Sequence, residues 1–339
     1  MQLGGAAAWP LAVCAQQDVP IRRIGFLFGI AESDAIDPRA DQRTESRYTV
    51  AVGTAHLPEG SGTQDLAEEA NAMLIVDAQI HIWRNNKPTN PNHRQVTDYT
   101  SDDVLREMDA GGVNAALIHP PGWDPNSNAL AVEAAKRHPN RLAILGNFPL
   151  DKPESRTLID GMRGRPGMLG FRFALIQPHQ QTWLTDGRLD WLWAAAERAG
   201  TPVALIGPGL LDVIGSIAQR HPGLKLIIDH FGRPDAIWSN LPQLVAAAKF
   251  PNVALKATGA PSYSSEAYPY RDIHGHIRQL YDAFGPARMF WGTDITRMPC
   301  SWRQCVTMFT EELPWLSAWD KELIMGRAVC DWLGWNLPG

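Results

Sequence analysis

Three apolar runs in the chain end on side chains that can do chemistry. The first leads into Asp77, Gln79 and His81, the second into His230 and the third into Asp294. Carboxylates and imidazoles are the groups that most often move protons or hold metal ions in enzymes. A barrel of parallel strands carries its chemistry at the carboxyl ends of the strands. We therefore predict that these strand ends converge on one active site.

The composition argues against several classes of partner. The chain has 339 residues, of which 45% are hydrophobic and 20% are charged, and its net charge is -5. This charge gives no reason to expect binding to nucleic acid or to an anionic membrane. No apolar run approaches the roughly 20 residues of a membrane helix. We expect a small-molecule partner, and homo-oligomer formation stays open. The four cysteines form no CxxC pair and are interpreted as reduced thiols in a core.

From residue 73 onward, apolar strand patterns alternate with helical patterns. The helical stretches begin at capping residues and end at glycine or proline, as helices do. Repeated strand-helix pairs predict an α/β fold, a (β/α)8 TIM barrel. The alternative is a doubly wound sheet. It is less favoured, because the glycine-rich phosphate loop typical of that fold does not follow the first strand. The predicted strands are Leu74–Val76, Val113–Ile118, Leu142–Leu145, Met168–Phe171, Val203–Ile206, Leu224–Ile228, Val253–Leu255 and Met289–Trp291.

Residues 1–72 differ in character from the rest of the chain. Residues Gly4–Ala15 resemble the apolar core and cleavage region of a secretory signal, but no positive residues precede them. Residues 31–72 are polar, which is typical of a disordered linker. We interpret residues 1–72 as a truncated leader and linker, and residues 73–339 as the barrel. The expected location is the cytoplasm, with the periplasm as the alternative if the leader is functional.

Five short motifs follow one another along the chain: Asp77–His81, Gly170–Arg172, Ile228–Gly232, Val253–Lys256 and Trp291–Asp294. As a set in this order they resemble the amidohydrolase superfamily, specifically its amidohydrolase-related branch. The resemblance runs from about Met73 to Trp335 and implies a distorted TIM barrel. The branch contains metal-dependent decarboxylases and hydratases, and also metal-independent hydrolases of pyrone-dicarboxylate lactones.

The chain departs from the family pattern where metal-dependent members hold their ions. Gln79 stands in place of the first histidine of DxHxH, and Gly207 follows the fifth strand where a histidine is expected. Arg172 stands where a lysine could be carbamylated. The glutamine oxygen is a poor zinc ligand. We therefore expect no resident metal, and the ligands of a weakly bound Zn or Mn ion would be His81, His230 and Asp294.

The resemblance then implies hydrolysis of a lactone or similar cyclic ester that carries a carboxylate. Asp294 would take a proton from water, while His81 and His230 would donate hydrogen bonds to the carbonyl oxygen. Arg172 and Arg297 would bind the substrate carboxylate through paired hydrogen bonds. Four further residues are expected to line the substrate site: Gln79, Trp83, His119 and Lys256.

Two alternatives stay open at this point. The first is a divalent-metal-dependent decarboxylase of an aromatic or unsaturated acid. The second is a non-catalytic ligand-binding protein, suggested by the leader-like start of the chain and the incomplete metal motif. The long segment after the seventh strand, residues 257–270, contains Tyr263, Tyr268 and Tyr270 and is predicted to act as a lid.

Overall fold

A computed structural model describes residues 73–180, 182–236 and 238–337, which form a barrel of eight parallel strands. Neighbouring strands follow chain order from first to last, so the predicted TIM-barrel fold is confirmed. The interpretation of residues 1–72 as leader and linker lies outside the described residues. The strands are β1 (Val76–Ile80), β2 (Ala115–Ile118), β3 (Leu142–Gly146), β4 (Met168–Ala174), β5 (Val203–Ile206), β6 (Leu226–Ile228), β7 (Val253–Thr258) and β8 (Met289–Gly292).

Helices connect the strands along the outside of the barrel. Between β3 and β4 the described chain forms two short 3-10 segments, so the predicted alternation of strand and helix is interrupted there. No helix among the described residues is long and apolar enough to cross a membrane. The helices are α1 (Ser101–Gly111), α2 (Ser127–Arg137), α3 (Asp190–Arg198), α4 (Leu210–Arg220), α5 (Leu241–Ala247), α6 (His274–Phe284), α7 (Trp302–Thr310), α8 (Ala318–Glu322) and α9 (Ala328–Leu333).

Three strands extend at least three residues further than their apolar patterns predict. β1 ends at Ile80 instead of Val76, β4 continues to Ala174, and β7 continues to Thr258. The apolar pattern stops early because each of these strands carries polar side chains near its carboxyl end. As a result, four predicted site residues or motif positions lie within strands instead of after them: Asp77, Gln79, Arg172 and Lys256.

The barrel has a polar layer above an apolar one. Leu117, Ile227 and Ala254 belong to one buried apolar cluster. In a strand, residues two positions apart lie on the same face. The residue two positions after each of these three is polar and buried, namely His119, Asp229 and Lys256. The polar layer therefore lies at the carboxyl ends of the strands, where barrel enzymes have their active sites.

β8 is joined to β1 at the same end of the barrel. Oδ1 of Asp77 accepts hydrogen bonds from the backbone N–H groups of Gln79 and Thr293, each 2.9 Å long. The hydroxyl of Thr293 donates to the other carboxylate oxygen of Asp77. The backbone N–H of Asp294 donates to the carbonyl oxygen of Gln79 at 2.8 Å. These hydrogen bonds join β1 to β8 at the point where the chain continues from β8 to Asp294.

Gly292→Ala should destabilise the fold, because the junction of β1 and β8 has no room for a side chain at this glycine. A Cβ at Gly292 would lie 2.6 Å from Cγ2 of Thr258 and 2.9 Å from the backbone nitrogen of Ala78. Overpacking a buried position costs about 1–3 kcal/mol of the free energy of unfolding. Urea denaturation of the variant and the wild type measures this difference.

Gly275→Ala is the matched control for this substitution. Gly275 lies in α6, and a Cβ there would meet no described heavy atom within 4 Å. Alanine loses less conformational freedom than glycine in a helix, so the free energy of unfolding should stay the same or rise by about 0.5–1 kcal/mol. Equal unfolding midpoints for the Gly292 variant and the wild type would contradict the role assigned to the junction.

Candidate active site

Asp294 lies at the centre of a buried group of side chains after β8. Its own side chain is only 2% exposed. Nε2 of His81 lies 3.4 Å from Oδ1, and Nδ1 of His93 lies 3.9 Å from the same oxygen. Nε2 of His230 and Nη1 of Arg297 lie 3.9 and 3.3 Å from Oδ2. Burial raises the pKa of Asp294, but the three imidazoles and Arg297 lower this pKa to about 2. The carboxyl group is therefore ionised at neutral pH.

His81 faces Asp294 with a nitrogen that can only accept a hydrogen bond when the ring is neutral. Its Nδ1 lies 2.5 Å from the carbonyl oxygen of His119. A carbonyl only accepts, so Nδ1 carries the hydrogen and Nε2 keeps its lone pair. Burial lowers the pKa of His81, which favours the neutral ring. Oδ1 of Asp294 has no hydrogen-bond partner among the described residues. Two acceptors thus face each other, an arrangement that suits a water donating to both or a cation between them.

His230 can donate a hydrogen bond at the same site. Its Nδ1 lies 2.9 Å from the hydroxyl oxygen of Thr258, and its Nε2 faces Asp294. Burial lowers the pKa of His230 to about 3, so the ring is neutral. When the hydroxyl of Thr258 donates to Nδ1, Nε2 carries the hydrogen and can donate to a ligand oxygen. The two histidines selected from the sequence therefore differ: neutral His81 faces Asp294 as an acceptor, whereas the hydroxyl opposite Nδ1 of His230 allows its Nε2 to donate.

His93 belongs to the same group, although no motif in the sequence points to it. It lies in the segment between β1 and α1 and is buried. Its Nδ1 lies 2.8 Å from the hydroxyl oxygen of Thr296, and its ring packs against His81 and Trp123. The segment is held there by a 2.8 Å hydrogen bond from the backbone N–H of Arg94 to the carbonyl of Thr296. No strand-end pattern marks this histidine.

His81, His93 and Asp294 could hold a metal ion. One ligand atom from each lies within 4.8 Å of the others. Zinc binds such atoms at about 2.0–2.2 Å in tetrahedral geometry, which places ligand atoms roughly 3.4 Å apart. The 3.4 Å between His81 and Asp294 fits this spacing. The sequence had predicted His230 as the third ligand, and the structure groups His93 with the other two instead.

A second polar group lies around Lys256. Its Nζ is 3.1 Å from Oδ1 of Asp229, 3.1 Å from Oε1 of Gln79 and 2.9 Å from Nε2 of His119. Nε of Arg172 donates to Oδ2 of Asp229 at 2.7 Å. Burial lowers the pKa of Lys256 to about 8, although Asp229 offsets part of the effect. Burial opposes ionisation of Asp229, but Lys256 and Arg172 hold its pKa well below the usual range. Lys256 and Asp229 therefore form a buried ion pair.

Trp83 supports the wall of the site. The side chain is fully buried, and its Nε1 donates to the carbonyl oxygen of Val96 at 3.0 Å. Its ring packs against Tyr99 and Trp123. The ring of Trp123 in turn lies 5.6 Å from that of His81 and is partly exposed. The structure thus places Trp123, and not Trp83, against His81.

The predicted lid segment packs on neighbouring elements. Its first two residues belong to β7, and a 3-10 turn at Ala260–Tyr263 follows. The ring of Tyr263 packs against Phe231 and Trp238. The hydroxyl of Tyr268 donates to the hydroxyl of Thr307 in α7 at 2.9 Å. Movement of this segment during a reaction stays a prediction.

The charged side chains of the site include two cations that a ligand can reach. Arg172 and Lys256 contact Asp229, and Arg297 contacts Asp294. Burial raises the pKa of Asp77 to about 7, so this carboxyl group is partly ionised near neutral pH. The side chains of Arg172 and Arg297 are 15% and 18% exposed. These two guanidinium groups can attract an anionic ligand.

Known proteins resemble this chain in sequence and fold. The sequence profile of the amidohydrolase family matches residues 76–331. L-fucono-1,5-lactonase of Burkholderia ambifaria is 24% identical over 234 residues, covering 65% of this chain and 79% of the relative. 4-sulfomuconolactone hydrolase of Hydrogenophaga intermedia is 26% identical over 236 residues, covering 64% and 73%. The crystal structure of an amidohydrolase from Burkholderia multivorans with bound zinc has a TM-score of 0.66 at 21% identity, covering 78% of this chain and 100% of that one. The chain therefore belongs to the amidohydrolase family.

Proposed function

We propose that this chain hydrolyses a carboxylated lactone or similar cyclic ester, with Asp294 as the base that activates water. The observation that carries the proposal is the pair of acceptors 3.4 Å apart, Oδ1 of Asp294 and Nε2 of His81. A water that donates one hydrogen to each presents its lone pair to the substrate. The two curated relatives are named for lactone hydrolysis, which supports the same reaction class.

The proposed reaction begins with attack of this water on the ester carbonyl carbon. The water proton passes to Asp294, and negative charge develops on the carbonyl oxygen. Nε2–H of His230 donates to that oxygen, and such a donor contributes about 3–4 kcal/mol to the stability of the transition state. The ester C–O bond then breaks, and the leaving oxygen takes the proton from Asp294. Neutral His81 cannot fill the donor role expected from the sequence, because its only hydrogen points to His119.

Arg172 and Arg297 give the proposed site its preference for a carboxylated substrate. Both side chains remain partly exposed although they contact buried carboxylates. A guanidinium group can bind a carboxylate through two hydrogen bonds. Lactones that carry a carboxylate should therefore be turned over with a lower KM than neutral lactones of the same ring size.

A panel of small molecules tests the proposed function. Ring opening of lactones with and without a carboxylate is followed by acid release, and decarboxylation of aromatic and unsaturated acids is followed by CO2 release. Ligand binding without turnover is measured in parallel by thermal shift. Ring opening supports the proposal. Exclusive CO2 release favours the decarboxylase alternative, and binding without any turnover favours the ligand-binding alternative.

The proposed reaction should survive removal of metal. A divalent cation held by His81, His93 and Asp294 would polarise a carbonyl and lower the pKa of a bound water. In the proposed reaction these tasks fall to Asp294 and His230. Lactone turnover should therefore persist after dialysis against EDTA or dipicolinate, with the metal content checked by elemental analysis.

His93→Ala is the companion variant for this metal test. It removes one metal-ligand candidate that takes no part in the proposed proton transfer, so it should retain most of the turnover. Loss of activity on chelation, its return with Zn or Mn, and an inactive His93→Ala variant would together disprove the metal-free reaction. The decarboxylase alternative would then gain support.

A further inference from the structure

We propose that Cys300 and Cys305 form a disulfide when the protein meets a hydroperoxide, so that this pair is a site of reversible oxidation. The two sulfur atoms lie 3.5 Å apart with both thiols reduced. This inference is independent of the proposed lactonase activity. It is based on the geometry of the first turn of α7 and on the different exposure of the two thiols.

The first turn of α7 holds the two cysteines together. Ser301 is the N-cap, Cys300 precedes it, and Cys305 is the fourth residue of the helix. These are the two positions whose side chains meet across a helix start in a hydrophobic staple. Gln304 and Ser301 form a reciprocal capping box that fixes the turn. The contact between the sulfurs is therefore built into a regular helix start.

The two thiols differ in exposure and in pKa. Cys300 has the properties of a cysteine that reacts first with an oxidant, and Cys305 those of the partner that then forms the disulfide. Cys300 is partly exposed, whereas Cys305 is 2% exposed. The contact with the Cys305 thiol lowers the pKa of Cys300, and the same contact, together with burial, raises the pKa of Cys305. An accessible thiol with a lowered pKa reacts first with an oxidant. In α9, burial raises the pKa of Cys330 to about 12, which makes it an unreactive reference thiol.

The oxidation has two steps. The thiolate of Cys300 attacks one peroxide oxygen and the O–O bond breaks. The other oxygen leaves with a proton as water or an alcohol, and Cys300 becomes a sulfenic acid. The sulfur of Cys305 then attacks this sulfur, the S–O bond breaks, and the departing hydroxide takes the thiol proton to form water. Two thiols are oxidised and one hydroperoxide is reduced. A small dithiol reverses the change by exchange.

The proposed disulfide would protect Cys300, which is close in sequence to the candidate active site, from irreversible oxidation. Cys300 lies three positions after Arg297, whose guanidinium contacts Asp294. Sulfinic and sulfonic acids on Cys300 cannot be reduced by simple thiols, whereas a disulfide can. The buried partner thus keeps oxidation at this position reversible.

Peptide mapping of the full chain tests the proposal. Arg303 lies between the two cysteines, so trypsin separates them into the peptides Met298–Arg303 and Gln304–Lys321. The native protein is treated with hydrogen peroxide, free thiols are alkylated, and the digest is analysed without reduction. We expect these two peptides to be joined, and we expect dithiothreitol to separate them.

Two variants serve as controls for the mapping. Cys330→Ser should leave the joined peptides unchanged. Cys305→Ser removes the buried partner, so Cys300 should accumulate sulfinic and sulfonic acid. The proposal is overturned if the wild-type digest lacks the joined pair because Cys300 stays reduced, is oxidised beyond the sulfenic acid, or is joined to Cys14 or to a second chain.

Discussion

Asp294→Asn should lower kcat by about 10²–10⁴-fold, the usual effect of losing a general acid–base group. The amide is nearly the same size as the carboxylate but cannot take the water proton. With a pKa of about 2, the wild-type carboxylate is ionised throughout the neutral range, so the substitution removes a base that is always available there. The measurement is the turnover of whichever carboxylated lactone the wild type hydrolyses.

The Asp294 variant should keep its fold. Asp294 has φ 54° and ψ 50°, a left-handed conformation that asparagine also tolerates. The hydrogen bond from its backbone to Gln79 does not involve the side chain. Asp331→Asn, an exposed position in α9, is the matched control and should have wild-type kcat. A folded Asp294→Asn protein with wild-type turnover would remove Asp294 from the mechanism.

Lys256→Met should lower the free energy of unfolding by about 3–5 kcal/mol, because it breaks a buried ion pair by removing one partner. Asp229 would remain fully buried with Arg172 as its remaining charged partner, while Gln79 would lose the donor to its amide oxygen. Methionine fills much the same volume as the lysine stem, so packing alone should change little. Chemical denaturation of the variant and the wild type measures the loss.

Two further proteins separate the lost charge from other effects of this substitution. Lys136→Met, at an exposed position in α2, should change the free energy of unfolding by less than about 0.5 kcal/mol. Adding Asp229→Asn to Lys256→Met should recover part of the lost stability, because the buried carboxylate that lost one of its two cationic partners is then replaced by a neutral amide. A Lys256→Met protein as stable as the Lys136 variant would show that the ion pair is not needed for the fold.

The fold was predictable because its signals are local in the sequence. Each strand contains a short apolar run. The polar residues near the carboxyl ends of these runs lie together, because parallel strands all end on the same side of the barrel. This reasoning selected His81, His230 and Asp294, and the structure brings all three together. Strand bounds were less predictable, since a polar residue such as Lys256 can lie inside a strand once partners from other strands surround it.

His93 could not be predicted because it reaches the site from an irregular segment. Its place depends on a backbone contact between Arg94 and Thr296, which are far apart in the sequence. The position of Trp83 soon after His81 predicts a place in the pocket, but beyond β1 this residue forms an antiparallel bridge with Tyr99 and its ring packs on that of Tyr99. Periodicity predicts which face of a strand is buried, but it carries no information on where a loop folds back.

Two residues of the candidate active site have a left-handed backbone conformation, which links the thermal stability of the protein to its activity. His230 and Asp294 have φ values of 51° and 54°, and neither is glycine. Aspartate and histidine are among the residues that tolerate this conformation, and glycine adopts it with no steric cost. Glycine at either position would relax the backbone but would remove the proposed base or its hydrogen-bond donor. A screen for more heat-resistant variants of this chain therefore needs turnover as a second criterion, because relaxing the backbone at these two positions would abolish the proposed reaction.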